Sequence, residues 1–319
     1  MPLDGPRVVS RSAPRTPPVN LKSPWWLAAW LLPWLVAPRL AAQVAVETEP
    51  AIPRRGSLIR LKVTPTIDGL VTGLGGEVAG EPLHFSSSDG ITWHTLAGVP
   101  FSGGDSLEIT LVLRQAELHD TVRTSIAVVP GDYPVEHLRV SPRMAEPDSA
   151  ARVRIARESA RARRVSRAAH DTPRLWDQPF LVPINSRITS SYGTGREFNG
   201  RVTSRHFGTD FNGRTGDPVH APNAGRVVLV ANFYLAGKVI YLDHGEGLIS
   251  AYFHLSRARV QVGEQVERGQ VIGAVGQSGR VTGPHLHWVV RYGTTTVDPM
   301  SVVGLLGEPT AQGEMTGEK

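Results

Sequence analysis

A two-residue alternation of apolar and polar side chains constrains the fold of this chain more than any other feature. The segments SLIRLKVT (57–64) and LEITLVL (107–113) place an apolar residue at every second position. Successive side chains of a strand point to opposite faces, so this pattern predicts strands with one buried face. Clusters rich in glycine, aspartate and serine separate the segments, and we predict an antiparallel β-sandwich over residues 45–135. The glycine-rich GLGGEVAG lacks the Lys-Ser/Thr of a phosphate loop and is interpreted as a hairpin turn.

The chain after residue 180 is made of short β-type runs broken by glycine, among them GRVVLVA, KVIYLDHG and HLHWVVR. Helical periodicity is absent from this part of the sequence. We therefore predict a compact all-β domain over residues 180–303, followed by a flexible tail over residues 304–319.

The region between the two β domains has a different composition. Alanine and arginine dominate it, and no glycine occurs between Pro147 and Gly193. This composition favours a helix over residues 148–169, ending near His170, within an arginine-rich linker at 143–174. We interpret the helix as a connector between the two β domains.

The N-terminal segment contains the apolar run WWLAAWLLPWLVA, residues 25–37, behind several basic residues. This run is shorter than the roughly 20 residues of a membrane helix and matches the roughly 7–15 residues of a signal-peptide core. We predict a signal peptide over residues 1–42, with an uncleaved N-terminal membrane anchor as the alternative. Either case predicts an exported protein.

Two features of composition limit the chemistry. The chain has no cysteine, which excludes disulfides, thiolate metal sites and cysteine nucleophiles, so any metal must be bound by nitrogen and oxygen. The net charge is +5, and much of the positive charge lies in residues 151–170. Export argues against a nucleic-acid partner. The basic segment fits either an anionic polymer or membrane surface of the cell envelope, or a solvated helix face without a partner.

Histidine carries the strongest functional signal. Six of the 11 histidines lie from residue 206 onward. In GPHLHW, His285 and His287 are two residues apart, so in a strand both project from one face while Leu286 faces the opposite layer. The alternative for this pair is two exposed strand histidines without a ligand.

A second pair lies in RHFGTDFNG, where His206 and Asp210 are four residues apart and Gly208 leaves room between them. Extended chain would place both side chains on one face. Together with a histidine of the HxH pair, they make a set of three nitrogen and oxygen ligands, typical of catalytic zinc with one open position.

Catalysis at a water molecule also needs a proton acceptor and a group that stabilises the oxyanion. The sequence contains no HExxH motif, so histidines outside the metal set are the candidates. His254, which alternation places on the face of Tyr252, is one, and the spare member of the HxH pair is the other. His220 and His244 share no spacing with this set and are interpreted as structural.

Together RHFGTDFNG, YFHLS and GPHLHW resemble the lysostaphin/LytM-type zinc metallopeptidases, also called murein or glycyl-glycine endopeptidases. The resemblance covers roughly residues 180–300. It implies a two-layer antiparallel β-sheet of the barrel-sandwich type with one zinc ion in a groove. The implied zinc ligands are His206, Asp210 and His287, and the implied catalytic residues are His254 and His285.

The sequence departs from the family pattern at Lys238, where the family usually has asparagine, and at Ser278, where threonine is usual. Neither is an implied ligand.

The resemblance implies an exported zinc metalloendopeptidase that hydrolyses stem or cross-link peptides of peptidoglycan in the periplasm or cell envelope. The alternative is a non-catalytic wall-binding protein that activates other murein hydrolases, as some relatives that have lost zinc ligands do. A lipoyl- or biotinyl-carrier module is excluded because no lysine occurs from residue 239 to 318. The N-terminal half would inhibit the peptidase domain, bind the wall or act as a spacer.

Overall fold

The computed structural model describes residues 43–67, 69–116, 118–137, 148–198 and 201–308. The predicted signal peptide or anchor and residues 309–319 of the predicted tail lie outside these ranges. No helix among the described residues combines the length and apolar character needed to cross a membrane.

Two packed sheets form the N-terminal domain, with strand orders β1-β2-β5 and β4-β3-β6-β7. The strands are β1 (Val44–Glu49), β2 (Leu58–Pro65), β3 (Gly73–Val78), β4 (Glu81–Pro82), β5 (Trp93–Gly98), β6 (Ser106–Gln115), β7 (Leu118–Ala127) and β8 (Val135–His137). Alternation determines the core, since Ile59, Leu61 and Val63 are fully buried between the sheets together with Ile109 and Leu111.

The segment GLGGEVAG differs in part from its interpretation as a hairpin turn. Its first six residues form strand β3, and the turn is confined to Ala79 and Gly80, both of which have a positive φ. Glycines weaken a strand but do not prevent ladder pairing, and β3 pairs with β6 along its whole length.

The C-terminal domain is built on a large sheet of order β18-β14-β15-β16-β20-β12-β9, with β21 beside β20. A second layer has the order β13-β19-β17. The elements are β9 (Ile188–Ser190), β10 (Gly195–Phe198), β11 (Arg201–Arg205), β12 (Thr209–Asn212), β13 (Pro218–His220), β14 (Gly225–Phe233), β15 (Gly237–Gly245), β16 (Leu248–Leu255), β17 (Arg257–Ala258), β18 (Gln265–Val266), β19 (Val271–Ala274), β20 (His285–Tyr292), β21 (Thr295–Val297) and helix α2 (Pro299–Leu306). The predicted two-layer antiparallel fold is confirmed. The pairing of β8 with β10 is parallel.

The two faces of the large sheet pack against different elements. One face packs on the second layer and on α2 and contains Tyr252, Leu286 and Trp288. The other face contains Ala251, Phe253 and Val289 and packs against helix α1 (Ser149–Ala168), which is followed by a 3-10 turn at Ala169–Asp171. His287 is two residues before Val289 on β20, so both side chains point to the same face of the sheet. The HxH pair therefore lies on the face that α1 partly covers.

Helix α1 lies within one residue of each end of the predicted range. Asp148 accepts a hydrogen bond from the Ala151 N–H, so its side chain caps the helix. The helix is more than a connector, because Ala162 and Val165 pack into the apolar cluster on the sheet.

Helix α2 was not predicted, and its last turn contains residues 304–306, which were assigned to the flexible tail. Asp298 caps it and Pro299 occupies its first turn, as is common at a helix start. The buried side chains of Val302 and Leu306, one turn apart, hold it against the core.

Candidate active site

The His206, Asp210 and His287 side chains converge on one point. His206 Nε2 lies 2.9 Å from His287 Nδ1 and 3.1 Å from Asp210 Oδ1, and His287 Nδ1 lies 2.7 Å from the same oxygen. His206 and Asp210 are buried and His287 is half-buried. Within the described residues, this is the cluster whose atoms lie close enough to bind a metal ion.

The strand register brings the ligands together. Asp210 on β12 pairs directly with His287 on β20, and residues directly opposite each other share a face. His206 lies between β11 and β12, outside both strands, and a bend at Gly208 separates it from Asp210, so strand alternation does not explain how it joins the cluster. A Cβ on Gly208 would lie 2.7 Å from the His287 ring. The glycine therefore permits the ring to approach the bend.

The donor atoms fit a zinc ion. His206 Nδ1 donates to the Ser191 carbonyl at 3.0 Å, which orients the ring with Nε2 directed at the cluster. Burial alone would raise the pKa of Asp210, but hydrogen bonds from His206 and His287 hold it far below its usual value, so the carboxylate is ionised. Burial lowers the pKa of His287. Two imidazoles and one carboxylate that converge on one point are a ligand set of catalytic zinc.

The two predicted catalytic histidines lie side by side next to the predicted ligands. The ring centroids of His254 and His285 are 4.9 Å apart, and His285 Nε2 is 3.8 Å from Asp210 Oδ1. His254 Nδ1 donates to the Ser278 carbonyl and His285 Nδ1 to the Gly283 carbonyl, each at 2.9 Å. A carbonyl oxygen can only accept, so each ring has its proton on Nδ1 and keeps Nε2 as a proton acceptor.

His254 reaches the site by a route that strand alternation does not predict. Alternation would place it with Tyr252, which is fully buried on the opposite face of the sheet. The register between β15 and β16 shifts instead, because Ile240 pairs with Tyr252 while Lys238, two residues earlier, pairs with Leu255. This extra residue is a β-bulge, and His254 has a φ of 61°. The bulge turns the imidazole toward His285, and burial lowers its pKa to about 4.

The two histidines interpreted as structural lie apart from this cluster. His244 is fully buried and bonds the Ala224 carbonyl at 2.7 Å and Ser250 Oγ at 2.8 Å. His220 Nδ1 is 3.3 Å from the Pro183 carbonyl.

An aromatic cluster beside the site was missed from the sequence. Phe207, which follows His206 and is 41% exposed, packs edge-on against Phe101 of the N-terminal domain with ring centroids 5.4 Å apart. Tyr133 and Tyr192 complete the cluster. Nothing in the local pattern around Phe101 marks it, because the contact joins residues more than 100 positions apart.

Comparison with known proteins identifies the domain that holds the site. Residues 204–299 match the profile of Peptidase family M23. Peptidoglycan DD-endopeptidase ShyA of Vibrio cholerae serotype O1 is 42% identical over 114 residues, which are 35% of this chain and 26% of that protein. These matched residues form the M23 domain of the chain. The resemblance inferred from the sequence is confirmed, and the M23 domain contains all five site residues.

Two further similarities define how far the relationship extends. Peptidoglycan DD-endopeptidase ShyB of the same organism is 35% identical over 42% of this chain and 32% of its own length. The chain thus matches about a quarter to a third of the length of these M23 relatives. The structure of a candidate peptidase M23 from Pseudomonas aeruginosa is 29% identical, with a TM-score of 0.58, and covers 79% of this chain and 95% of that one. This likeness reaches well beyond the M23 domain into the N-terminal half.

Proposed function

We propose that the chain is a zinc metalloendopeptidase that hydrolyses peptide bonds in the stem or cross-link peptides of peptidoglycan. The observation that supports it best is the convergence of two sets: three ligand atoms within 3.1 Å of one another and, beside them, two histidines with free Nε2 atoms. The M23 relatives named as peptidoglycan DD-endopeptidases supply the substrate class.

The proposed ligands of one zinc ion per chain are His206, Asp210 and His287. A zinc ion bound there would act as a Lewis acid that polarises the scissile carbonyl and lowers the pKa of water toward about 7. The chain itself supplies the ionised carboxylate, which offsets part of the metal charge, and the hydrogen bond from His206 to Ser191, which fixes the ring orientation.

His254 and His285 are the proposed proton-transfer pair. Because the pKa of His254 is lowered to about 4, its ring is neutral at pH 7 and can accept a proton on Nε2. Each ring, once protonated, becomes a donor that can stabilise the oxyanion and then deliver a proton to the leaving amine. Their adjacent positions let either ring perform either step.

The test is digestion of peptidoglycan and defined muropeptides by the purified chain, with products identified by mass spectrometry. We expect cleavage of peptide bonds that a chelator abolishes and added zinc restores, with one zinc bound per chain. Intact substrate in the presence of stoichiometric zinc would favour the alternative, a non-catalytic wall protein that activates other hydrolases. Adding such a hydrolase to the same reaction would then reveal activation.

Export to the cell envelope is part of this proposal, because the substrate lies there. N-terminal sequencing of the envelope-associated protein distinguishes a cleaved signal peptide from a retained anchor. A start near Ala42 supports cleavage, and an intact N-terminus supports anchoring.

Autoinhibition by the N-terminal half stays a prediction. The contact through which it would act is the packing of Phe101 on Phe207, next to the proposed ligand His206. If the N-terminal domain covers the groove through this contact, Phe101→Ala should raise turnover of muropeptides. A fall in turnover would instead support a role for Phe101 in substrate binding.

A further inference from the structure

The turn between β14 and β15, residues 233–237, lies between helix α1 and His254. It contacts the helix through Tyr234, the bulge of β16 through Ala236, and Ser278 through Gly237. Helix α1 belongs to the segment that the sequence identifies as a linker, outside the M23 match.

On the helix side, Glu158 holds the turn by its main chain. One carboxylate oxygen accepts the Tyr234 N–H at 2.7 Å, and the other accepts Arg154 Nε at 2.7 Å. Arg154 also donates to the Asn232 carbonyl at 3.1 Å, and its guanidinium lies 5.7 Å from the centre of the Tyr234 ring. The Glu158 side chain is 16% exposed, so the carboxylate that accepts the Tyr234 N–H is largely shielded from water, whereas its partner Arg154 is 52% exposed.

On the other side, the turn holds the main chain of His254. The Ala236 carbonyl accepts the His254 N–H at 2.9 Å. Gly237 lies so close to Ser278 that a Cβ would overlap it, and Ser278 Oγ accepts the Lys238 N–H and donates to the Leu255 carbonyl, each at 2.8 Å. The Ser278 carbonyl in turn accepts the ring proton of His254. Both the main chain and the ring of His254 are therefore fixed by groups attached to this turn.

We propose that Glu158 is a positioning residue for His254. By fixing the Tyr234 main chain, it holds the turn that keeps His254 in its left-handed conformation. A non-glycine residue at a φ of 61° persists only where its surroundings impose that conformation, so loss of an anchor should let the ring move. The effect on rate rests on the proposed function, in which His254 takes part in proton transfer.

The experiment compares Glu158→Ala, Glu158→Gln and the control Arg157→Ala in the full-length protein. Arg157 is an exposed neighbour on the same helix. Four quantities are measured: kcat, KM, zinc content and the solvent-exchange rate of the His254 Nδ1 proton by NMR. The exchange rate reports the bond to Ser278 without any need for turnover.

We expect Glu158→Ala to lower kcat about tenfold, because a small displacement of a catalytic group is costly. KM should stay within twofold and zinc content unchanged, while the His254 Nδ1 proton exchanges faster. Glu158→Gln should recover most of kcat, since its amide oxygen can still accept the Tyr234 N–H. Arg157→Ala should match the wild type in all four measurements.

Unchanged kcat and unchanged exchange in Glu158→Ala would overturn the proposal. Loss of zinc or a general loss of folded structure in Glu158→Ala would also overturn it, because the role would then be structural. If the wild-type chain cleaves no peptide, the proposed function fails instead, and the exchange rate of His254 still decides whether Glu158 positions the ring.

Discussion

Three of the four histidines in the site share one arrangement of hydrogen bonds. His206, His254 and His285 each donate Nδ1–H to a main-chain carbonyl, so Nε2 is the nitrogen left for chemistry in every ring. The proposed zinc ligand His206 and the proposed proton-transfer residues His254 and His285 therefore all have a proton on Nδ1. They differ in position, because His206 Nε2 faces Asp210 directly whereas His285 Nε2 is 3.8 Å from it.

This distinction predicts that two alanine variants will separate metal binding from turnover. His206→Ala should lose zinc and activity together, because it removes one of three ligands. His254→Ala should keep zinc and lose at least about 100-fold in kcat, as is typical when an acid–base group is removed. Metal analysis and muropeptide assays measure both. Stoichiometric zinc in the His206→Ala, His287→Ala double variant would refute the ligand assignment.

His244 predicts a pH dependence of stability that is separate from catalysis. Burial lowers its pKa from 6.5 to about 4, so between these values the unfolded chain binds a proton that the folded chain does not. This contribution to stability is fully present above pH 6.5 and falls by about 3 kcal/mol as the pH drops to 4. Urea unfolding across this range should show a smaller decline for His244→Gln than for the wild type. Equal slopes would contradict the prediction.

At the residue scale, the five residues predicted from the sequence lie together in the structure, but the sequence predicted only part of their geometry. Alternation along β20 correctly places His285 and His287 on one face. Alternation along β16 would have placed His254 on the wrong face, and only the bulge corrects this. A bulge is set by how neighbouring strands pair, which involves residues distant in sequence, so the local pattern cannot show it.

Among the elements, helix α2 offers a direct test of how its short apolar sequence is stabilised. Gly304 lies in its interior, is exposed, and a Cβ there would meet nothing within 4 Å. Gly304→Ala should therefore raise the free energy of unfolding by about 0.5–1 kcal/mol, since alanine loses less backbone entropy in a helix. Denaturant unfolding measures the change. Gly279→Ala is the matched opposite, because Gly279 has a φ of 80° and a Cβ would overlap Gly237, so this variant should be destabilised.

The two helices were predicted with unequal success for a physical reason. Helix α1 has twenty residues, a capping aspartate and a composition free of glycine, so local preference predicts it. Helix α2 has eight residues and contains glycine, so its stability depends on packing of Val302 and Leu306 against the sheet. The position of α1 on the sheet could not be predicted from the sequence either, because it depends on which face of the sheet the second layer does not cover.

For the molecule as a whole, a buried carboxylate joins the N-terminal domain to the M23 domain. Glu81 accepts hydrogen bonds from the Thr294 N–H at 2.8 Å, from the Thr294 hydroxyl, and from His170 Nε2 at 3.0 Å. Tyr292 donates to the Pro82 carbonyl at 2.6 Å beside it. These bonds link the sandwich, the end of the linker and the turn after β20.

This contact predicts that the two domains unfold together and that Glu81→Ala uncouples them. The variant leaves the part-buried Thr294 N–H without its acceptor, which costs up to about 1–3 kcal/mol. Calorimetry should show one transition for the wild type and a separate, lower transition for one domain in the variant. The control is Asp105→Ala, which removes an exposed carboxylate of the same domain. This variant should keep the single calorimetric transition of the wild type. A single unshifted transition in Glu81→Ala would contradict the coupling.

The order of domains along the chain could be predicted because each domain has its own local pattern of apolar residues and its own composition. Their mutual packing could not, since Leu58, on the strand that starts the sandwich core, donates its main-chain N–H to Ser301 of α2 across more than 240 residues. No periodicity reports such a contact.

The register of Asp210 with His287 also determines when the site can exist. Asp210 and His287 are 77 residues apart in sequence, and β20 must insert between β12 and β16 before their side chains meet. Contacts of such long range form late in folding. A growing chain that has not yet reached residue 285 lacks two of the five site residues. Synthesis and folding must therefore be nearly finished before the five side chains can come together, and a chain that ends before residue 285 should lack the proposed activity.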